Sequence, residues 1–174
     1  MLLAGKVALV TGAGRGIGSA IAAAFAEHGA MVAVNYLRDE TSAKHVVERC
    51  EAYGTSAMAL QADVTSDSAG RALVEQVAAE FGRLDVLVNN AFRPYRFEPE
   101  TRKLYDELTW QDYLEQLEGA VRAAHTLCRA ASPIMQSQAG GSIINMASDL
   151  VARPTVPYHD YTTAKAALIG FSRN

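Results

Sequence analysis

Short apolar runs alternate along the chain with longer stretches in which apolar residues recur at helical spacing. The short runs are typical of strands buried on both faces, and they predict strands near 6–10, 31–35, 56–62, 84–89 and 142–146. The longer stretches predict helices near 16–28, 40–53, 67–81, 110–136 and 158–174. Strictly alternating strands and helices indicate βαβ units, in which helices cover both faces of a parallel sheet.

A glycine separates three of the predicted helices from the strand that follows, at Gly29, Gly54 and Gly82. Each glycine suits the left-handed position that ends a helix. Right-handed crossovers between parallel strands then give an α/β fold of the Rossmann type, a doubly wound three-layer α/β/α sandwich with strand order 3-2-1-4-5. Ligands of such folds bind beyond the carboxyl ends of the strands, at the switch point between strands 1 and 4.

Composition fits one domain and favours no macromolecular partner. The 174 residues are 49% hydrophobic with a formal charge of −3, and no linker or repeat divides residues 1–174. Such a balance excludes a strongly basic nucleic-acid or anionic-membrane surface, and no stretch approaches the roughly 18 apolar residues of a membrane span. Cys50, Cys128 and the four histidines are scattered without metal-ligand spacing, so we expect no metal and two reduced thiols in the cytoplasm.

A glycine-rich segment follows the first predicted strand and opens an alanine-rich helix. It reads Thr11-Gly12-Ala13-Gly14-Arg15-Gly16-Ile17-Gly18, with four glycines in seven residues. Glycines permit positive φ and close approach of a ligand to the backbone, and the free amides of the following helix face that ligand. The segment departs from the G-x-G-x-x-G spacing and fits T-G-x-x-x-G-x-G instead, which predicts a cradle for a pyrophosphate.

Tyr161 and Lys165 are four residues apart, and Ser148 lies thirteen positions before the tyrosine. In a helix over 158–174 this spacing puts phenol and ammonium on one face, one turn apart. A free phenol has a pKa of about 10 and is a poor proton shuttle at neutral pH unless a neighbouring cation stabilises the phenolate. The spacing alone also fits an ordinary amphipathic pair, but with the glycine segment it predicts acid–base chemistry on a carbonyl or an alcohol.

Three motifs occur in a characteristic order: T-G-x-x-x-G-x-G, then Asn89-Asn90-Ala91 after a strand, then a serine thirteen residues before Y-x-x-x-K. In these motifs the chain resembles the short-chain dehydrogenase/reductase family from about residue 5 to its end, most closely the bacterial 3-oxoacyl-(acyl carrier protein) reductase-like members. The resemblance implies an NADP(H)-dependent oxidoreductase that transfers hydride between nicotinamide and a carbonyl or secondary alcohol. A 3-oxoacyl thioester or similar ketone is the implied substrate, within fatty acid biosynthesis.

The resemblance also implies roles for individual residues. Ser148 binds the substrate carbonyl, Tyr161 supplies the proton, and Lys165 holds Tyr161 and the nicotinamide ribose. The implied cofactor-binding residues are Gly12, Gly14, Arg15, Gly16, Ile17, Gly18, Asn35, Arg38, Asp63, Val64, Asn89, Asn90, Ala91, Tyr161 and Lys165. For Asp63, capping of the helix that begins near 66 is an equally good interpretation.

The end of the second strand bears on the choice of cofactor. An acidic residue there would bind the ribose of NAD and repel the 2′-phosphate of NADP. Asn35 stands at this point instead, Arg38 follows closely, and Arg15 lies in the glycine segment. We therefore expect NADP(H) rather than NAD(H), although Arg38 is also placed to pair with Asp39 or Glu40.

Several features depart from the family pattern. Ala120 stands where the family has a helix-kink asparagine that holds a water of the proton relay, with Glu118 as a conceivable substitute. Phe92 replaces a glycine, and the segment 92–108 is longer than usual. Its aromatics suggest a substrate lid, and its four bases and four acids suit an exposed loop equally well.

The family's later strands and substrate lid have no counterpart within residues 1–174. A non-catalytic NAD(P)-binding protein is therefore the second function to weigh. The resemblance further implies a homodimer or homotetramer formed through apolar faces of the helices over 110–136 and 158–174.

Overall fold

The computed structural model describes residues 1–138 and 140–173 of the chain. Its parallel sheet has the order β3-β2-β1-β4-β5, so the predicted fold class and strand order are confirmed. The strands are β1 (Val7–Val10), β2 (Met31–Tyr36), β3 (Ala57–Gln61), β4 (Val86–Asn89) and β5 (Ser142–Asn145).

The helices agree with the predicted ones except in the stretch 110–136, which is interrupted. They are α1 (Gly16–Glu27), α2 (Glu40–Glu51), α3 (Asp67–Phe81), α4 (Trp110–Leu117), α5 (Ala123–Ser137) and α6 (His159–Ser172). A π-helical turn, Glu118–Arg122, joins α4 to α5 and contains Ala120, where the sequence places the helix kink. Asn174, the last residue of the predicted helix 158–174, lies outside the described residues.

Both faces of the sheet carry an apolar core. One core packs β1 and β4 against α3 and α5, and the other packs the opposite face of β1 and β2 against α1 and α2. Val7 and Leu9 point into the first core and Val10 into the second, which explains why the strands read as nearly unbroken apolar runs. Burial of each side chain of this size contributes about 1.5–3 kcal/mol to the free energy of folding. The two cores therefore hold the strands, and with them the strand ends, in place.

Local signals at the helix ends match the sequence. Gly29, Gly54 and Gly82 have φ angles of 93°, 80° and 77°, as expected of residues that follow a helix. At the start of α4, Thr109 and Asp112 cap each other's backbone amides.

Thr11 and Asn90 join the carboxyl ends of β1 and β4. The Thr11 hydroxyl donates to the Val88 carbonyl at 3.2 Å and accepts from the backbone amides of Asn90 and Ala91, both at 3.0 Å. The Asn90 amide group donates to the carbonyls of Thr11 (2.8 Å) and Gly12 (3.3 Å). These bonds fix the glycine segment against the end of β4.

Gly18 lies where α1 approaches this junction, and a side chain there should be costly. An alanine Cβ at Gly18 would lie 2.5 Å from Asn90 Nδ2 and 2.8 Å from the Gly12 carbonyl oxygen. At Gly14 the nearest atom would be 3.6 Å away, an ordinary contact. We expect Gly18→Ala to lower the free energy of unfolding by about 1–3 kcal/mol and Gly14→Ala to change it by less than about 0.5 kcal/mol. Urea unfolding without cofactor measures both, and equal midpoints for the two variants would contradict the packing argument.

Candidate active site

The structure brings Ser148, Tyr161 and Lys165 together where α6 begins beside the end of β5. Lys165 Nζ donates to the carbonyl of Met146, the residue after β5, at 2.5 Å. Two residues later, Ser148 opens a 3₁₀ turn that packs against α6, and its Oγ accepts from the Leu150 amide at 3.3 Å. Tyr161 and Lys165 are only 9% and 4% exposed. The structure therefore buries Tyr161 and Lys165 together on α6, and places the half-buried Ser148 at the start of the 3₁₀ turn that packs against this helix.

Lys165 is a cation in an apolar setting. Its Nζ lies 5.8 Å from the centroid of the Tyr161 ring and 5.6 Å from that of Phe92. Burial lowers the pKa of Lys165 because desolvation disfavours the ammonium form. Within residues 1–138 and 140–173 no carboxylate forms an ion pair with it. Its charge is thus left to act on the phenol and on whatever binds there.

The glycine segment leaves the amino end of α1 open. Gly12 and Gly16 have φ angles of 59° and 57°, and a Cβ at Gly16 would meet no atom within 4 Å. Arg15 precedes the helix without making a side-chain capping bond, and no acidic residue lies in the first turn. Uncapped amides and the helix dipole together attract an anion, so these residues fit the pyrophosphate of a dinucleotide. Ile17 is exposed and Gly18 buried at this end.

Asn35 turns its side chain into the protein and is 2% exposed. Its Oδ1 accepts from the Gly12 amide at 3.2 Å, and its Nδ2 donates to the carbonyls of Leu60 and Ala62, both at 3.2 Å. A weaker bond reaches the Tyr36 carbonyl at 3.3 Å. The contribution of Asn35 to a ligand site is therefore to hold the glycine segment in place.

Arg15 and Arg38 lie exposed beyond the end of β2. The acids that follow Arg38 are engaged elsewhere: Asp39 caps α2 by accepting from the Ser42 amide (2.9 Å) and hydroxyl (2.6 Å), and Glu40 pairs with Lys44 at 2.8 Å. In the described part of the chain neither arginine forms an ion pair. The pairing of Arg38 with its neighbours, an alternative from the sequence, is therefore wrong in this structure.

Asp63 and Val64 lie after β3. Oδ1 of Asp63 accepts from the amide (2.9 Å) and hydroxyl (2.7 Å) of Thr65, and these bonds lower the pKa of Asp63. Ser66 caps α3, so the interpretation of Asp63 as the cap of that helix is wrong. Val64 belongs to the core, and the binding of adenine by Asp63 stays a prediction.

The two asparagines at the end of β4, Asn89 in the strand and Asn90 after it, also face the protein. Asn89 is buried and donates to Asn145 Oδ1 at 2.8 Å, across the β4–β5 pair. Asn90 holds the glycine segment through the bonds to Thr11 and Gly12 described above. Thr11 is not among the site residues that the sequence predicts. Its place at the start of the T-G-x-x-x-G-x-G motif is the signal that could have identified it.

The segment 92–108 is mostly exposed, but the rings near its beginning lie against Tyr161: Tyr95 is half-buried, and Phe92 and Phe97 are each 46% exposed. The ring centroids of Phe92, Tyr95 and Phe97 lie 6.4, 5.2 and 4.9 Å from that of Tyr161. The Tyr95 hydroxyl donates to Asp160 Oδ1 at 2.6 Å. The substrate lid stays a prediction, and Tyr95, Phe97 and Asp160 are neighbours of Tyr161 that the sequence did not assign to the site.

The π-helical turn packs under the same segment. Gly119 contacts Arg93 so closely that a Cβ would lie 2.6 Å from Arg93 Cγ. Glu118 pairs with Arg93 and Arg122, both at 3.5 Å. These pairs engage the carboxylate that the sequence offered as a substitute for the missing asparagine, while Ala120 is buried in the turn.

Residues 1–138 and 140–173 contain neither a metal-binding cluster nor a membrane-spanning helix. No group of three or more His, Cys, Asp or Glu side chains among them is placed to hold a metal ion. None of the helices in this part of the chain combines the length and the apolarity that crossing a membrane requires.

A family model for the short chain dehydrogenases matches residues 6–174. Hydroxynaphthalene reductase of Aspergillus fumigatus is 42% identical over 172 residues, which cover 98% of this chain and 60% of that protein. The 3-oxoacyl-[acyl-carrier-protein] reductase of Staphylococcus aureus is 36% identical over 170 residues, covering 97% of this chain and 66% of the relative. The chain thus spans 60% and 66% of the lengths of these two relatives.

Solved structures agree with this similarity. A short chain dehydrogenase from Burkholderia cenocepacia in complex with NADP superposes with a TM-score of 0.86 at 40% identity, over 98% of this chain and 67% of that one. An NAD⁺-bound xylitol dehydrogenase superposes with a TM-score of 0.85 at 31% identity, over 98% of this chain and 64% of that one.

Proposed function

This chain belongs to the short chain dehydrogenase family, and we propose that it is an NADP(H)-dependent oxidoreductase that reduces a ketone to a secondary alcohol. The observation that carries the proposal is the buried Tyr161–Lys165 pair beside Ser148, at the carboxyl end of the sheet. A phenol next to an unpaired ammonium is a proton donor whose conjugate base is stabilised, which is what protonation of a carbonyl oxygen requires.

Each residue of the site has a separate part in the reaction. The Ser148 hydroxyl donates a hydrogen bond to the substrate carbonyl and orients it, and Tyr161 protonates the oxygen as negative charge develops there. Lys165 stabilises the phenolate left on Tyr161 and is itself held by the Met146 carbonyl. Stabilising charge as it forms is the largest single source of catalysis in such sites.

The glycine segment, Arg15 and Arg38 would hold the cofactor. The open amides of α1 suit its pyrophosphate, and the two unpaired guanidiniums suit a 2′-phosphate. When bound, the reduced nicotinamide cofactor supplies the hydride that the carbonyl carbon accepts. The complex of the Burkholderia cenocepacia relative with NADP supports this choice.

Two substrate classes have support from the relatives. The Staphylococcus aureus protein acts on a 3-oxoacyl group carried by a protein, and the Aspergillus fumigatus protein on a hydroxynaphthalene. Both reactions fit a serine and a tyrosine that bind one carbonyl oxygen. We therefore assign the chain to ketone reduction, with a 3-oxoacyl thioester or a ring ketone as substrate.

A non-catalytic NAD(P)-binding protein is the competing function. It is favoured by Ala120, which removes a relay asparagine, and by the aromatic cover over Tyr161. Binding of NADPH without consumption of NADPH on any ketone would select this alternative.

NADPH should bind more tightly than NADH. A charge-assisted contact to the 2′-phosphate is worth about 1.5–3 kcal/mol, so a ratio of dissociation constants of about tenfold or more is expected. Fluorescence titration of the wild-type chain and of Arg38→Ala measures it, with Arg49→Ala on the exposed surface of α2 as the control. Equal dissociation constants for the two cofactors in the wild type would refute the assignment.

Tyr161→Phe should abolish most of the turnover. The change deletes a hydroxyl and leaves the ring packing, so NADPH binding persists while reductase activity falls by about 10²–10⁴-fold. Loss of NADPH absorbance with an acetoacetyl thioester and a panel of ketones gives the rates. If Tyr161→Phe keeps wild-type activity on a ketone that the wild type reduces, another group supplies the proton and the mechanism is wrong.

The chain should form a homodimer or a homotetramer through an apolar groove between the π-helical turn and α6. Leu114, Leu117, Val121 and Phe171 line this groove. Leu114→Asp places a charge in the groove at a half-exposed position, and should yield monomers because burying an unpaired carboxylate is costly. Light scattering coupled to gel filtration measures the mass, with Gln111→Asp as an exposed control on the same helix. A monomeric wild type would contradict the proposed assembly.

A further inference from the structure

Three aromatic side chains from one short segment form a wall against Tyr161. We call Phe92, Tyr95 and Phe97 the aromatic wall. Phe97 meets the Tyr161 ring edge-on at 4.9 Å and 90°, and Tyr95 lies tilted at 5.2 Å and 36°. Behind them, Tyr158 contacts Tyr95 at 5.6 Å and Phe97 at 5.5 Å. The wall therefore borders the phenol from which a substrate must receive its proton.

A single charged group ties the wall to the catalytic helix. The Tyr95 hydroxyl donates to Asp160 Oδ1 at 2.6 Å, and Asp160 immediately precedes Tyr161. Asp160 is 6% exposed, so this hydrogen bond is made largely out of water. Burial and the Asp160 carboxylate both raise the pKa of Tyr95, which keeps its hydroxyl protonated as the donor. A hydrogen bond to a carboxylate is about twice as strong as one between neutral groups.

The base of the wall is fixed as well. Arg93 pairs with Glu118 at 3.5 Å, and the absence of a side chain at Gly119 lets the backbone of Arg93 approach the π-helical turn. These contacts of Arg93 hold the backbone next to Phe92 against the π-helical turn.

We propose that the aromatic wall, held by the Tyr95–Asp160 hydrogen bond, is the substrate-specificity element of this site and selects ketones fused to a planar aromatic ring over flexible 3-oxoacyl thioesters. The inference rests on the proposed ketone reduction and narrows its substrate. Asp160 and Tyr95 are positioning residues, because they act through the orientation of the rings, whereas Phe97 contacts the substrate.

The physical reason is the geometry of the wall. A carbonyl that reaches Ser148 and Tyr161 brings its substituent against Phe92, Tyr95 and Phe97. Aromatic rings gain about 0.5–1.5 kcal/mol from edge-to-face or offset packing beyond the area they bury, which corresponds to about two- to tenfold in affinity. A flexible acyl chain gains only buried area at the same surface and loses rotational freedom on binding.

Two probes and five variants test the proposal. The probes are 1-tetralone, a ketone fused to a benzene ring, and S-acetoacetyl-N-acetylcysteamine, a flexible 3-oxoacyl thioester. Phe97→Leu keeps apolar bulk and removes the ring, and Tyr95→Phe keeps the ring and removes the hydrogen bond. Tyr105→Phe is the matched control, since Tyr105 lies in the same segment and is 73% exposed.

For 1-tetralone, Phe97→Leu and Tyr95→Phe should each raise KM by about two- to tenfold with kcat within about twofold. For the thioester, KM should change by less than about twofold, and Tyr105→Phe should leave both substrates unchanged. Asp160→Ala removes the acceptor of the Tyr95 hydroxyl and should raise the KM for 1-tetralone. Asp160→Asn retains an acceptor oxygen at the same place, so its KM for 1-tetralone should stay close to the wild-type value. Equal changes in KM for both substrates would overturn the proposal. A Tyr95→Phe variant whose KM values match those of Tyr105→Phe would also overturn it.

Calorimetric binding of both probes separates this inference from the proposed function. If the wild type reduces neither ketone yet binds 1-tetralone, and Phe97→Leu weakens that binding more than thioester binding, ketone reduction fails and the aromatic wall stands. If the wild type reduces the thioester but does not bind 1-tetralone, ketone reduction stands and the wall fails as a selector of planar rings. Unchanged circular dichroism of each variant confirms that it is folded.

Discussion

The site depends on how backbone polar groups are satisfied where β1 and β4 end. Parallel strands diverge at this switch point, so the amides and carbonyls after them lose their partners in the sheet. Thr11 and Asn90 replace those partners through one hydroxyl and one carboxamide, and Asn35 does so on the other side of the glycine segment. Because these side chains hydrogen-bond the backbone of the glycine segment, the amides at the start of α1 remain free to face a ligand. Local hydrogen bonding therefore shapes the proposed anion site, and the glycines permit the conformation it needs.

Elements with a strong local signal were predictable from the sequence, and contacts made by side chains across the fold were not. Unbroken apolar runs and glycine helix ends are local, and they predict five strands in the observed order. The spacing of Tyr161 and Lys165 is likewise local once the helix is recognised. Asn35 illustrates the limit: the sequence places it at the ligand edge of β2, yet its carboxamide faces inward because four backbone groups compete for it. No pattern along the chain reports that competition.

A π-helical turn forms at the place where the family resemblance implies an asparagine and this chain has Ala120. Ala120 cannot hold a water as an asparagine would, yet the extra residue of the turn is still accommodated at Glu118–Arg122. Packing supplies the reason, since Gly119 admits Arg93 at close range and Glu118 binds both Arg93 and Arg122. Such turns within α-helices are frequent at functional sites because they displace the side chains that follow. Here the kink serves to seat the segment that carries Phe92.

The aromatic side chains link proton transfer to access. Lys165 is enclosed by the protein, with its ammonium near the rings of Phe92 and Tyr161, and this loss of water both lowers the pKa of the lysine and strengthens the field of its charged form at the phenol. The same enclosure covers Tyr161, which a substrate has to reach. A planar substituent resolves this conflict, because it can replace one ring contact by another and keep water away from Lys165. Under the proposed function, a flexible polar chain would admit water and weaken the charge on which the proton transfer relies, so one set of contacts would govern both the chemistry and the choice of substrate.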